Sequence, residues 1–261
     1  MYGMQILVTV KEVAVLDDEF EIDDGIDDRY VTRELNEWDE YAIETAVQIQ
    51  EASDEDVEVV TVTIGPEATE ETIRQALAKG ADRGVRVWDD HLAETGLLDP
   101  ATKARVLAAV AAEAEPDLVL TGVQSADDGF GATGVALAER LDFAWAAVVN
   151  ELDLDRDAGI AAVHRELEGG IEELTEVELP AVLTVQTGIN EPRYASLRGI
   201  RSAQSKELDV QSLDDIGLSA EAVRSPLRQT GLSKPVGGGE TTMVEETEEL
   251  ATLLRERGVG Q

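Results

Sequence analysis

The residues of this chain best suited to chemistry are glycines, hydroxyls and carboxylates gathered in Gly122-Val123-Gln124-Ser125-Ala126-Asp127-Asp128-Gly129-Phe130-Gly131-Ala132-Thr133-Gly134. The stretch lies between a run that reads as a buried strand and one that reads as a helix. Gly129, Gly131 and Gly134 spell G-x-G-x-x-G. Glycine lets backbone approach a ligand closely, and free N–H groups at a helix start, at the positive end of its dipole, attract phosphate or polarised sugar oxygens. Thr133 adds a hydroxyl in the first helical turn. The dinucleotide fingerprint places its glycines directly after the first strand. Here Val123 to Asp128 intervene and the unit is the fourth, so the motif alone fits a phosphate site or an ordinary loop whose Asp127 and Asp128 favour a helix N-terminus.

Three other groups of residues have chemical potential. Asn36, Glu37, Trp38 and Asp39 open another helix, where Asn36 could be a cap and Trp38 core, or both could face a ligand. In a parallel sheet the strand-to-helix turns gather at the carboxyl edge, where ligands bind. Thr9, the Ile64-Gly65-Pro66 turn and the Gly122 loop would share that edge with Asn36 to Asp39, which strengthens the case for a nucleotide site. In Asn190-Glu191-Pro192-Arg193-Tyr194-Ala195-Ser196-Leu197, proline stiffens the chain while Tyr194 and Leu197 are apolar among polar neighbours. That is either a plain loop or an exposed anchor for another protein. His164 and Glu166 would share a strand face, where a cross-strand salt bridge is the simpler expectation than acid–base work. The chain has no cysteine and only two histidines, His91 and His164, far apart. Thiolate zinc sites, iron–sulfur clusters, disulfides and cysteine nucleophiles are excluded, and neither a His-rich metal site nor a His-centred triad is expected. No catalytic residue is assigned.

The elements that must hold these residues alternate. Strands are expected at Met4 to Val10, Val57 to Ile64, Gly84 to Trp88 and Pro116 to Gly122, and helices at Asn36 to Ala52, Glu67 to Lys79, Pro100 to Ala114 and Phe130 to Leu141. That alternation signals right-handed βαβ units and a doubly wound, mostly parallel α/β sheet of Rossmann-like type. Leu16 to Asp28 reads as an acidic surface hairpin or loop. Ala146 to Leu154, Gly159 to Leu167 and Ile171 to Leu179 read as three strands joined by tight turns, an antiparallel extension. Ala181 to Val185 reads as one more buried strand. The expected organisation is an α/β nucleotide-binding domain over 1–208 and a C-terminal arm over 209–261. Within the arm, Ser225 to Gly239 is linker-like. A last helix is expected from Thr242 to Arg257, with Thr242 and Glu245 as a capping box and Met243, Thr247, Leu250 and Leu254 as an apolar stripe. Such a helix cannot bury its stripe alone; it needs its own domain or a partner chain.

Asp and Glu number 56 against 21 Lys and Arg in 261 residues, a net charge of −35. Nucleic acid and anionic membranes are repelled by such a surface. The apolar periodicity argues for a folded chain, not an acidic disordered one, and the charge suits a cytoplasm of molar salt, where the Debye length is about 3 Å. No apolar run reaches the about 18 residues of a membrane span. Met1-Tyr2-Gly3-Met4-Gln5 lacks the basic-then-apolar layout of a signal peptide, so the expected location is cytoplasmic.

Taken together, the motifs resemble the β subunit of electron transfer flavoprotein. The likeness runs in order through ILVTVK at 6–11, NEWDEYAIETA at 36–46, IGP at 64–66, ETIRQALAKGADRG at 71–84, PDLVLTG at 116–122, RELEGG at 165–170, LPAV at 179–182 and NEPRYASL at 190–197. It covers about residues 4 to 208, and the arm matches weakly. The resemblance implies a heterodimer with an α subunit that makes most contacts to a redox-active FAD. It also implies electrons taken from acyl-CoA and related dehydrogenases and delivered to a membrane quinone oxidoreductase, with AMP bound as a structural ligand. By position that site falls on Thr9, Asn36, Glu37, Trp38, Asp39, Ile64, Gly122, Val123, Gln124, Asp127, Asp128, Gly129, Phe130, Gly131, Ala132 and Thr133. Tyr194 and Leu197 match a loop whose leucine enters a dehydrogenase pocket, Glu166 matches an acidic position that helps orient the flavin domain, and the arm is expected to embrace the α subunit.

The chain departs from its look-alikes in places. Members with AMP usually carry Lys or Arg where Val123 stands and Asn-Gln-Thr-Gly where Gly131-Ala132-Thr133-Gly134 stands. A branch of the family holds a second FAD here and bifurcates electrons; its loop usually has valine where this chain keeps Thr133, which favours AMP. Leu16 replaces an aromatic that touches the flavin in some relatives. The expected role is an electron-carrier subunit without catalytic side chains. The rival readings are a bifurcating subunit with a second FAD in place of AMP, and a nucleotide-binding sensor with no redox role.

Overall fold

The computed structural model describes residues 3–23, 25–234, 243–244 and 246–258. Consecutive apolar residues make strands that are buried on both faces. In β1 (Met4–Thr9), Ile6 and Val8 enter one core and Leu7 the other, all fully buried. The chain continues through the hairpin β2 (Glu12–Leu16) and β3 (Val31–Leu35), α1 (Glu37–Ala52), β4 (Val57–Ile64), α2 (Glu70–Lys79), β5 (Arg83–Val87), α3 (Asp90–Thr95), α4 (Pro100–Ala114), β6 (Leu118–Gly122) and α5 (Thr133–Leu141). Next come β7 (Ala144–Asp155), β8 (Ile160–Leu167), β9 (Ile171–Glu178), β10 (Ala181–Val185), α6 (Leu197–Ala203), β11 (Leu208–Gln211) and α7 (Thr247–Glu256).

The main sheet has the order β11-β5-β4-β1-β6-β10-β7-β8-β9. Neighbours are parallel from β11 through β7 and antiparallel from β7 to β9. One core packs α1 and α2 through Ile43, Val47, Ile73 and Leu77, and the other packs α3, α4 and α5 through Leu92, Val106, Leu107 and Leu137. This is the doubly wound α/β fold with its antiparallel extension. The strand order turns back at β1, with β4 and β5 on one side and β6 and β10 on the other. Such a switch point opens a crevice at the carboxyl ends of the strands.

Several boundaries differ from the sequence expectation for physical reasons. The helix expected from Phe130 begins at Thr133, because Gly129 and Gly131 both take φ 59° and hold residues 129–132 out of helical geometry. The helix expected from Glu67 begins with a 3₁₀ turn, Glu67–Thr69, and is α-helical only from Glu70. Of the stretch expected as a surface hairpin or loop, Leu16 is the last residue of β2, paired with Val31 of β3, and Asp28 opens a 3₁₀ turn, Asp28–Tyr30, just before β3. The expected division at residue 208 falls on the first residue of β11, which pairs with β5, and Leu213 and Val223 beyond it are buried in the second core. Thr242 and Glu245, the expected capping box, lie outside the described residues. Met243 precedes α7 and is 83% exposed, and α7 has no buried residue, leaving Leu250 and Leu254 on its surface.

Candidate functional site

Three strand ends meet at the switch point. β1 ends at Thr9, β4 at Ile64 and β6 at Gly122, and the loops after them enclose a cavity of about 400 Å³. That volume falls in the range of about 300–1,000 Å³ typical of small-ligand sites. Thr9, Val10, Lys11, Ile64 and the 121–133 segment form one side, and Gly96, Leu97 and Leu98, from the α3–α4 connection, form another with Lys103 and Leu107 of α4. Backbone groups, aliphatic walls, and two ammonium groups paired with the Asp127 and Asp128 carboxylates line the cavity.

Of the residues singled out in the sequence, Thr9, Ile64, Gly122, Val123, Gln124, Asp127, Asp128, Gly131, Ala132 and Thr133 line the cavity. Gly129 and Phe130 belong to the same loop without lining it. A Cβ at Gly129 would meet nothing within 4 Å, and one at Gly131 only the Val123 carbonyl at 3.8 Å, so the glycines are required by backbone conformation and not by crowding. The α5 N-terminus has Ala132 at its cap position, with no side-chain hydrogen bond. Its leading N–H groups are not satisfied by a capping side chain.

Asn36, Trp38 and Asp39 support the cavity from beneath. The Asn36 amide donates from Nδ2 to the Gln124 carbonyl at 2.9 Å and accepts at Oδ1 from the Ala126 N–H at 3.3 Å, which fixes the loop. Trp38 Nε1 donates to Gln186 Oε1 at 3.0 Å. Asp39 is buried, and its two oxygens accept from the Lys11 N–H at 2.8 Å and the Gly122 N–H at 3.1 Å, joining the ends of β1 and β6. Burial pushes the Asp39 carboxyl up to about 7, against hydrogen bonds from the Lys11 N–H, the Asn36 side chain and the Gly122 N–H. Glu37 is exposed.

Lys11 and Lys103 are cavity-lining residues that sequence reasoning did not assign to the site. Lys11 Nζ donates to Ser125 Oγ at 3.0 Å, to Asp127 and to Asp128 Oδ2 at 2.8 Å. Lys103 Nζ pairs with the same Asp128 oxygen and lies 5.2 Å from the Phe130 ring centroid. Burial alone would raise the Asp128 carboxyl, but hydrogen bonds from Lys103 and Lys11 outweigh it and hold it far below the usual carboxylate range. Burial, with the neighbouring Lys11 charge, holds the Lys103 ammonium below its ordinary value despite Asp128. One signal was available: the chain has only five lysines, and Lys11 follows the first strand at the ligand-binding edge.

The Asn190 to Leu197 segment is clamped to α1 and α2. Asn190 Nδ2 donates to the Tyr41 carbonyl and to Thr45 Oγ1, and Lys79 Nζ donates to the Arg193 carbonyl at 2.7 Å. Arg193 bridges buried Glu44, through Nε at 2.7 Å, and Glu51, through Nη1 at 2.6 Å. Beyond the clamp Tyr194 is 98% exposed and Leu197 78%, and neither lines the cavity. His164 lies between Glu151, at 3.7 Å, and Glu172, at 3.5 Å, on the strands beside it, whereas Glu166 is exposed.

The comparisons with known proteins identify a family. The family model described as electron transfer flavoprotein domain matches residues 25–216. A protein of Methylophilus methylotrophus, electron transfer flavoprotein subunit beta, is 45% identical over 260 residues, covering 97% of each chain. The human electron transfer flavoprotein subunit beta is 38% identical over 228 residues, 87% of this chain and 86% of the relative. A mitochondrial electron transfer flavoprotein subunit beta of Arabidopsis thaliana is 33% identical over 255 residues, 97% of this chain and 98% of the relative. The chain therefore belongs to the electron transfer flavoprotein β-subunit family.

Proposed function

We propose that this chain is the β subunit of a heterodimeric electron carrier, holding AMP in the cavity at the β1–β6 switch point and closing one side of an FAD site carried mainly by an α subunit. The observation that carries the reading is the convergence of three strand ends, an uncapped helix start and Lys103 on one small-ligand cavity. The residues present suit an adenylate: Leu97, Leu98, Val62 and Ile64 offer apolar walls, and the Gly131-Ala132-Thr133 N–H groups and Lys103 offer donors for an anion. Val123 offers no cation of its own. The FAD would supply reversible electron storage; this chain's own task is to bind, orient and dock, so no general acid or base is invoked. Glu166 would help orient the flavin-bearing part of the partner.

In this reading the arm beyond Val223 reaches the α subunit, which covers the exposed Leu250 and Leu254. Tyr194 and Leu197 form the contact for acyl-CoA-type dehydrogenases, and a membrane quinone oxidoreductase receives the electrons. No described helix is long and apolar enough to cross a membrane. With a charge of −35, a salt-rich cytoplasm is the proposed location. Co-expression with an α-type partner tests the assignment. A yellow one-to-one complex with one flavin is expected. A colourless, solitary chain would overturn it in favour of a nucleotide sensor, and two flavins per complex would replace AMP by a second FAD.

A further inference from the structure

Resting on the reading that an adenylate occupies the cavity, the geometry points to Lys103 as the side chain that recognises the ligand's negative charge, with Asp128 setting the strength of that recognition. An ammonium group has three donors. Lys11 spends all three, on Ser125, Asp127 and Asp128, so it fastens the loop. Among the described residues Lys103 spends one, on Asp128, and two remain on a side chain that lines the cavity. It comes from α4, outside the glycine-rich loop, and stands above the Phe130 ring. Two of the chain's five lysines thus meet here with different duties.

Asp128 is a competitor as well as a support. Its Oδ2 accepts from both lysines, while its Oδ1 accepts from Ser125 Oγ at 2.8 Å and from the Phe130 N–H at 3.3 Å. A phosphate drawn to Lys103 therefore shares its cation with a fixed carboxylate. Removing that carboxylate should favour the charged ligand, and removing the ammonium should disfavour it. A neutral nucleoside, with the same ring and sugar, should be indifferent to both.

The test is calorimetric titration of the 261-residue chain and its variants with AMP and with adenosine at one fixed salt concentration. Lys103→Gln is expected to weaken AMP about tenfold relative to adenosine, and Asp128→Asn to strengthen it by a similar factor. Lys103→Arg should keep most of the AMP preference. Lys11→Gln should weaken both ligands together through the loop. Should Asp128→Asn fail to fold, Lys103→Gln and Lys103→Arg still decide the matter. An AMP-to-adenosine ratio unchanged in Lys103→Gln would overturn the role of Lys103 while leaving the adenylate site standing. Absence of binding by either ligand to the unaltered chain would overturn both.

Discussion

Asp39 shows how one side chain shapes the cavity floor. A Cβ at Gly122 would sit 2.6 Å from both Asp39 Oδ1 and Trp38 Cβ, so only glycine lets β6 approach the start of α1 this closely. The approach lets one carboxylate join two strand ends. Because burial raises the Asp39 carboxyl to about 7, the folded chain holds a proton that the unfolded chain releases near the ordinary carboxylate value. The stability this confers is present below that ordinary value and is lost as pH rises through about 7. Asp39→Asn removes the dependence. The stability gap between wild type and variant is expected to shrink by on the order of 2 kcal/mol between about pH 5 and about pH 8. Denaturant midpoints at the two pH values check this, and a constant or widening gap would refute it. Asp39 was legible in the sequence as a residue near the site, but its contacts with Lys11 and Gly122 are not, because they join residues 28 and 83 positions apart.

The loop from Asn190 to Leu197 and the helices beneath it behave as one unit. Arg193 holds the Glu44 carboxyl low: burial acts to raise it, and the Arg193 hydrogen bonds outweigh that. Stability from the pair is thus present above the ordinary carboxylate value and is lost as pH falls through the lowered one. Arg193→Gln leaves Glu44 buried without its cation and should cost about 3 kcal/mol at neutral pH, with the gap narrowing below about pH 4. Urea titrations would show it; a loss equal at all pH values would point to packing instead. Leu197→Ala touches an exposed side chain and should leave stability and flavin content intact while slowing electron receipt from a dehydrogenase, as stopped-flow reduction would reveal. Unchanged rates would remove Leu197 from the contact. The main strands were readable because apolar runs such as Ile6-Leu7-Val8 are short, rich in β-branched residues and alternate with longer amphipathic segments. β11 was not, since Leu208-Asp209-Val210-Gln211 is short and polar and becomes a strand only through pairing with β5. The helix start at Thr133 was missed because the positive φ values of Gly129 and Gly131 are invisible to apolar periodicity.

Over the whole molecule, a charge of −35 opposes compaction unless salt screens it. The melting temperature should therefore fall as salt is lowered from molar levels to about 0.1 M, where carboxylates repel over about 10 Å. Equal melting at both concentrations would count against adaptation to high salt. Against this acidic surface Lys11 and Lys103 make the cavity a local exception. Their meeting could not be foreseen from positions 92 residues apart; it depends on β1 and α4 bordering the same crevice. The glycine-rich loop was visible, whereas the cations that complete the site were supplied by the fold. Acid extraction of the native α–β complex, with mass identification and counting of the released nucleotides, bears on all of this at once. One AMP and one FAD per complex are expected. A complex that releases no adenylate beyond its single flavin would show that the switch-point cavity does not hold the proposed AMP.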